Sequence, residues 1–348
     1  MKELSVAIVI NNIAASGGTE RVATFLANKF LSIGIKVALV SILKTGEPFY
    51  KLDKGIAIHY IDSASIIKLG AHIKRLNYDS VISISMGRLS FELAMLFMFF
   101  GIKSKLILSE HVGFETSNIF IRTMKLLSYR LADQLVLLTK HDYNIIRPLI
   151  STPVTVIHNA TSYPTVDIDL LTKKINVVLA VGRLNQQKNF SKLLDLWSML
   201  SDDVRQSWIL KIVGNGEEDK LLKDKVSRLH ISNSVVFSDA SSNIHVEYQQ
   251  ASILAMTSRY EGLPLVLIEA KSFGLPAIAF DCKTGPSEII ANNEDGFLIH
   301  EEDDASYIKK LNQLMTNDFL RLQMGANAIK RSVFFSEDEV IKKWEDVL

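Results

Sequence analysis

Short runs of consecutive apolar residues alternate along this chain with longer segments in which apolar positions recur every three or four residues. Val6-Ala7-Ile8-Val9-Ile10 contains no polar residue, the pattern of a strand buried on both faces. A loop with Gly17 and Gly18 follows, then a helix whose Val22, Phe25, Leu26 and Phe30 share one face, ended by Gly34. Lys36 to Ile42, Ser80 to Ile84, Lys105 to Leu108, Gln134 to Leu138 and Val154 to Ile157 read as further strands, separated by helical segments. Strand and helix in alternation predict a parallel, doubly wound α/β sheet.

The pattern lapses between Asn159 and Lys174, where Thr161-Ser162-Tyr163-Pro164-Thr165 has the polar, turn-forming composition of a linker. It restarts at Asn176 to Gly182, another buried strand ending in glycine. Strands follow at Trp208 to Val213, Val235 to Phe237, Ser252 to Met256 and Ala277 to Phe280. Each half opens with a strand, a glycine loop and a helix, so the chain reads as two Rossmann-like domains, 1–162 and 174–335, facing each other. In Ser336 to Leu348, Val340, Ile341 and Trp344 form a helical stripe that must be buried somewhere.

The richest chemistry lies in Thr257-Ser258-Arg259-Tyr260-Glu261-Gly262-Leu263-Pro264, continuing through Glu269-Ala270. A strand ends near Met256, and a glycine turn leads to a helix beginning near Pro264, which the first helical turn tolerates. Free N–H groups and the positive end of that helix suit a phosphate. Glu269, on the second turn, offers a carboxylate able to accept two hydroxyl hydrogen bonds, as from a ribose diol. Its neighbours are mostly apolar, and a carboxylate so placed needs a partner. Glu261 stands on the turn itself.

In Val181-Gly182-Arg183-Leu184-Asn185-Gln186-Gln187-Lys188-Asn189 two cations lie on a loop at the carboxyl end of a buried strand, where open α/β sheets bind ligands. Arg183 offers a bidentate fork to phosphate oxygens and Lys188 a mobile point charge, although a solvated basic loop has the same composition. Gly17 and Gly18 allow a ligand close to the backbone, but neither a Walker loop nor a G-x-G-x-x-G fingerprint is present. Gly214-Asn215-Gly216 is a weaker glycine loop of the same kind. His111, after Lys105 to Leu108, falls at the carboxyl end of the first sheet, where a structural histidine would equally fit. Asp167 and Asp169 have the spacing of an acidic metal pair, yet they lie in the linker, and no metal-ligand cluster stands out. Cys282 adjoins the loop Asp281 to Glu288 and reads as a small, partly buried residue.

Composition narrows these readings. The chain has 348 residues, 48% hydrophobic and 22% charged, enough for two globular domains with real cores. A formal net charge of +1 gives no reason to expect nucleic acid. A single cysteine excludes an intrachain disulfide framework and fits a reducing, cytoplasmic location. Phe91 to Phe100 is about half the length needed to span a bilayer and reads as a buried helix. Phe120 to Arg130 mixes apolar and basic residues at helical spacing. It fits either an anionic membrane surface, giving peripheral contact at the inner face of the cell membrane, or a core helix with exposed cations.

Taken in order, these segments resemble the GT4-type family of retaining glycosyltransferases with the GT-B fold, particularly members acting on bacterial surface glycans. The resemblance covers nearly the whole chain and rests on Glu-Gly-Leu-Pro-x4-Glu-Ala at Glu261 to Ala270, and on Val-Gly-Arg-Leu with Lys188-Asn189. Gly17-Gly18-Thr19-Glu20-Arg21 and Gly285-Pro286-Ser287-Glu288 also carry it. Val156-Ile157-His158-Asn159 departs from the family in lacking Pro or Tyr before Asn.

The resemblance implies that Arg183 and Lys188 hold the diphosphate of a nucleotide-sugar donor, uridine at the family level, and Glu269 its ribose. Glu261 would contact the transferred sugar beside the backbone of Gly262 and Leu263. Gly17 and Gly18 would approach the diphosphate, and His111 would line the sugar and acceptor side. Residues 336–348 would cross back onto the first domain. The acceptor would be a glycan or lipid-linked saccharide, and no cofactor is implied. Cations and helix N-termini would stabilise the leaving diphosphate without a metal. A nucleotide-sugar epimerase or a non-catalytic nucleotide-sugar-binding subunit of a transferase complex remains an alternative.

Overall fold

The computed structural model of the chain describes residues 4–15, 17–43, 46–61, 66–85, 87–241 and 243–348. They divide into two units, Met1–Ala160 with Glu337–Leu348, and Thr161–Ser336.

The first unit runs β1 (Ser5–Ile10), α1 (Gly18–Ser32), β2 (Lys36–Ser41), β3 (Ala57–Tyr60), α2 (Ile66–Leu76) and β4 (Ser80–Ser85). It continues with α3 (Arg88–Phe100), β5 (Lys105–Glu110), α4 (Ile119–Leu131), β6 (Gln134–Leu137), α5 (Lys140–Ile146) and β7 (Val154–Val156). The strands are all parallel, in the order β3-β2-β1-β4-β5-β6-β7. Strand order therefore reverses at β1, between β2 and β4, the doubly wound switch point.

Alternation along β1 sends Ala7 and Val9 to one face and Val6, Ile8 and Ile10 to the other, and both faces are covered. On the first face α2, α3 and α4 pack side by side, with Leu69, Ile73, Leu93 and Tyr129 in the core. On the second lie α1 and the last helix of the chain, which contributes Val340, Ile341 and Trp344. The Trp344 ring meets Phe30 edge-on, with centroids 6.2 Å apart. The same helix is tied down by a Lys29–Glu337 ion pair, and Ser80 Oγ donates to the Leu348 carbonyl oxygen at 3.0 Å.

The second unit runs β8 (Val177–Val181), α6 (Phe190–Ser198), α7 (Asp202–Arg205), β9 (Ile209–Val213), α8 (Asp219–Arg228), β10 (Val235–Ser238), α9 (His245–Gln250) and β11 (Ile253–Met256). Then come α10 (Leu265–Ser272), β12 (Ala277–Phe280), α11 (Pro286–Ile289), β13 (Gly296–Ile299), α12 (Asp304–Thr316) and α13 (Asp318–Ser332); α14 (Glu337–Glu345) is the helix that completes the first unit. Its parallel sheet has the order β10-β9-β8-β11-β12-β13, with the switch point at β8, between β9 and β11. Trp197, Leu194, Tyr307 and Leu311 are fully buried in its core, and the Trp197 indole N–H donates to Ser234 Oγ at 3.0 Å.

Four details depart from the sequence reading. The edge strands β3 and β13 are additions, each only four residues long. Helix α3 is not buried throughout: Met98 and Phe99 are exposed, Phe99 to 79%. Lys125, expected among surface cations, is 1% exposed, with its ammonium 3.2 Å from the buried Glu110 carboxylate, which also accepts from Ser90 Oγ at 2.7 Å. Pro264 occupies the N-cap of α10 rather than its first turn.

Candidate functional site

In the second unit, the loops after β8 and β11 emerge side by side at the switch point, and they carry Lys188 and Glu261. Backbone and side-chain contacts lock them together. The Arg259 N–H donates to Gln187 O at 2.8 Å, and Thr257 Oγ1 donates to Asn189 O at 3.1 Å. The Lys188 ammonium donates to Glu261 Oε1 at 2.6 Å, with the two side chains 19% and 7% exposed. Two opposite charges withdrawn this far from water stabilise each other well only when both stay in place. Arg183, on the same loop as Lys188, is exposed.

The Glu261 turn is held from its other side by the loop after β12. The Glu261 N–H donates to Lys283 O at 2.9 Å, and Thr284 Oγ1 donates to the carbonyls of Glu261 and Gly262, each at 3.1 Å. Gly285 has φ +98, and a Cβ there would stand 2.4 Å from Gly262 O. Only glycine permits that approach. Gly262 is half-buried and Leu263 buried at the start of α10. Cys282 is buried too, and burial first, then nearby carboxylates including Glu261, push its thiol up to about 12, so it is no nucleophile at neutral pH.

Glu269, on α10, is 2% exposed. Tyr248 of α9 donates its hydroxyl to Glu269 Oε2 at 2.8 Å, from a side chain that is itself fully buried. Here is the partner that an apolar setting demanded, and nothing in the spacing pointed to it. Gly214 and Gly216 are needed for packing: a Cβ on either would fall within 2.2 Å of the Gly182 or Leu184 carbonyl oxygen. They let one βα loop lie directly on the other.

Gly17, Gly18 and His111 belong to the first unit. Gly17 caps α1 and Gly18 begins it. The Glu20 carboxylate folds back over this turn, accepting from Thr19 Oγ1 at 2.9 Å. His111 lines a small pocket with Phe25, Ser109, Ile157, Asn159 and Trp344. Its Nε2 lies 3.0 Å from Ser109 Oγ, and burial lowers its pKa to about 4, so the imidazole is neutral near pH 7. Asp167 caps a short 3₁₀ helix, Ile168–Lys173, and Asp169 lies in its first turn; among the described residues no three His, Cys, Asp or Glu side chains form a metal-holding group.

The family model for glycosyl transferases group 1 matches residues 167–331, the stretch that carries Arg183, Lys188, Glu261 and Glu269. The amylovoran biosynthesis glycosyltransferase AmsD of Erwinia amylovora is 39% identical over 98% of both chains. A Campylobacter jejuni α-1,4-N-acetyl-D-galactosaminyltransferase, named for a diNAcBac-PP-undecaprenol-linked acceptor, is 27% identical over 94% of both. Among solved structures, the lipopolysaccharide outer core galactosyltransferase WaaB superposes with a TM-score of 0.76 at 19% identity, covering 99% of this chain and 98% of that one. Anabaena HepE in complex with UDP and glucose gives 0.81 at 17% identity, covering 99% of both. With this architecture and these relatives, the chain belongs to the group 1 glycosyl transferases, the GT4-type family of enzymes with the GT-B fold.

Proposed function

We propose that this glycosyltransferase moves a sugar, with retention, from a UDP-sugar to a glycan or lipid-linked saccharide in the synthesis of a surface polysaccharide or lipopolysaccharide. The observation that carries the reading is the Lys188–Glu261 pair at the β8 switch point, with Glu269 on the helix that follows. In this reading Arg183 and Lys188 hold the donor diphosphate, Glu269 the ribose, and Glu261 the transferred sugar beside the backbone N–H groups of Gly262 and Leu263. Pro264 has no N–H to offer. Negative charge grows on the diphosphate as its bond to the sugar breaks, and the two cations then gain most in interaction energy. The names of the relatives support a surface-glycan product, and the UDP held by HepE supports the base.

The test is calorimetric titration with UDP, GDP, ADP and CMP in excess EDTA, on wild type and Glu269→Ala. Saturable binding of UDP that weakens at least tenfold in the variant is the expected result. Equal binding by both proteins removes Glu269 from the donor site, and binding of UDP only without EDTA refutes metal independence.

The surface of the first unit favours an acceptor at a membrane. Phe99, Ile119, Phe120 and Ile67 are 79%, 84%, 70% and 59% exposed on the adjacent helices α3, α4 and α2. Lys68, Lys74 and Lys103 are exposed around them, and neither α2 nor α4 contains an acidic residue. Apolar rings with a cationic surround match an anionic headgroup layer. No helix among the described residues is long and apolar enough to cross a membrane.

A further inference from the structure

Tyr248 is buried on every side, although its hydroxyl is polar and its helix is short. Its ring stacks on Phe273, the C-cap of α10, with centroids 5.5 Å apart and planes at 20°. The Tyr163 ring packs against it at 6.4 Å and 61°. Lys174 fixes the helix beneath it: its ammonium donates to the carbonyls of Tyr248 and Ala251 at 2.9 Å and of Gln249 at 3.1 Å. With ring and backbone both held, the hydroxyl is placed 2.8 Å from Glu269 Oε2, to which it donates.

A glutamate has three side-chain torsions, and an ordering contact removes the freedom that ligand binding would otherwise have to remove. A tyrosine hydroxyl donating to one carboxylate oxygen also leaves lone pairs on both oxygens, so a diol can still donate to the pair. We infer that Tyr248 is a positioning residue for donor binding, holding the Glu269 carboxylate in the orientation that receives the ribose diol. This rests on the proposed role of Glu269.

Tyr248→Phe keeps the stacked ring and removes only the hydroxyl. Calorimetry with UDP on wild type, Tyr248→Phe, Glu269→Ala and the double variant tests the inference, with thermal unfolding as the control for folding. Tyr248→Phe is expected to weaken UDP binding about 3- to 10-fold, the range for one net hydrogen bond. It raises donor KM by a similar factor with kcat within about twofold, because the ribose is remote from the breaking bond and is bound alike in ground and transition states. In the Glu269→Ala background the same change has no further effect.

Wild-type affinity in Tyr248→Phe with weak binding in Glu269→Ala overturns the inference and leaves the donor site standing. Wild-type affinity in both variants overturns the donor reading itself. Additive losses in the double variant show that Tyr248 acts by packing rather than through Glu269, and they overturn the inference as well. Phe273→Leu, which loosens the same ring stack but keeps the hydroxyl, is the second variant: UDP affinity within about twofold of wild type is expected, and a loss as large as that of Tyr248→Phe overturns the inference.

Discussion

Lys188 and Glu261, on loops that leave the sheet from β8 and β11, form a half-buried ion pair with Nζ to Oε1 at 2.6 Å. In the proposed reading both residues meet the donor, one at its diphosphate and one at its sugar. Their contact orients and partly desolvates the ammonium, which on that reading happens before a phosphate arrives. A diphosphate then has to share that ammonium with the carboxylate or displace it.

Lys188→Ala is expected to lower kcat/KM for the donor about 10- to 100-fold, the loss of a charge-assisted hydrogen bond of about 1.5–3 kcal/mol. Steady-state rates with the donor below saturation measure it. Rates equal to wild type would remove Lys188 from the diphosphate.

Glu261→Gln separates the two roles. The amide still accepts from Lys188 but no longer holds it by charge, so UDP affinity should stay within about threefold of wild type or increase, while sugar transfer falls at least tenfold. Parallel calorimetry and product assay give both numbers. A loss of UDP affinity as large as that in Lys188→Ala would make Glu261 part of the nucleotide site instead.

His111 makes stability depend on pH in a set direction. Its pKa is lowered from 6.5 to about 4 in the folded chain, so between those values the unfolded chain binds the extra proton. Stability supplied by the neutral imidazole is therefore complete above about pH 6.5 and lost as pH falls toward 4. His111→Asn should reduce the drop in unfolding free energy between pH 7 and pH 4.5 by on the order of 1–3 kcal/mol. Denaturant titrations at the two pH values measure it, and an unchanged drop would place the imidazole in contact with solvent.

Phe99→Ser combined with Phe120→Ser should lower partition onto phosphatidylglycerol vesicles at least tenfold, because two large exposed rings no longer enter the interface. Activity on a water-soluble acceptor should be unchanged. Flotation of the variant equal to wild type would show that this face does not meet the bilayer.

Much of this was written locally in the chain. The all-apolar runs at Val6 and Val177 declare buried parallel strands, and Glu269 among apolar neighbours declares a need for a partner. The identity of that partner is not local: Tyr248 lies 21 residues away on a separate helix, and only packing brings it to the carboxylate. Lys125 misleads for a related reason. Helical spacing sets it among surface cations, but Glu110, on the neighbouring strand, makes its burial tolerable. The Gly214 and Gly216 pair looks like a phosphate loop because glycine answers any demand for close approach. Here the approaching group is another stretch of backbone. β3 and β13 are not legible in the sequence because short edge strands carry little hydrophobic pattern.

The return of α14 to the first unit affects how that unit is made. Val340 and Ile341 each contribute about 1.5–3 kcal/mol by burial, which is large against a typical total of about 5–15 kcal/mol. On a translating ribosome, residues 1–160 would emerge with the second sheet face covered by α1 alone. The whole of Thr161–Ser336 would have to be synthesised before the missing helix arrived. Of the two units the first is thus begun first and finished last, and the strip beside α1 that α14 later covers is an exposed apolar surface for chaperones to hold in the meantime.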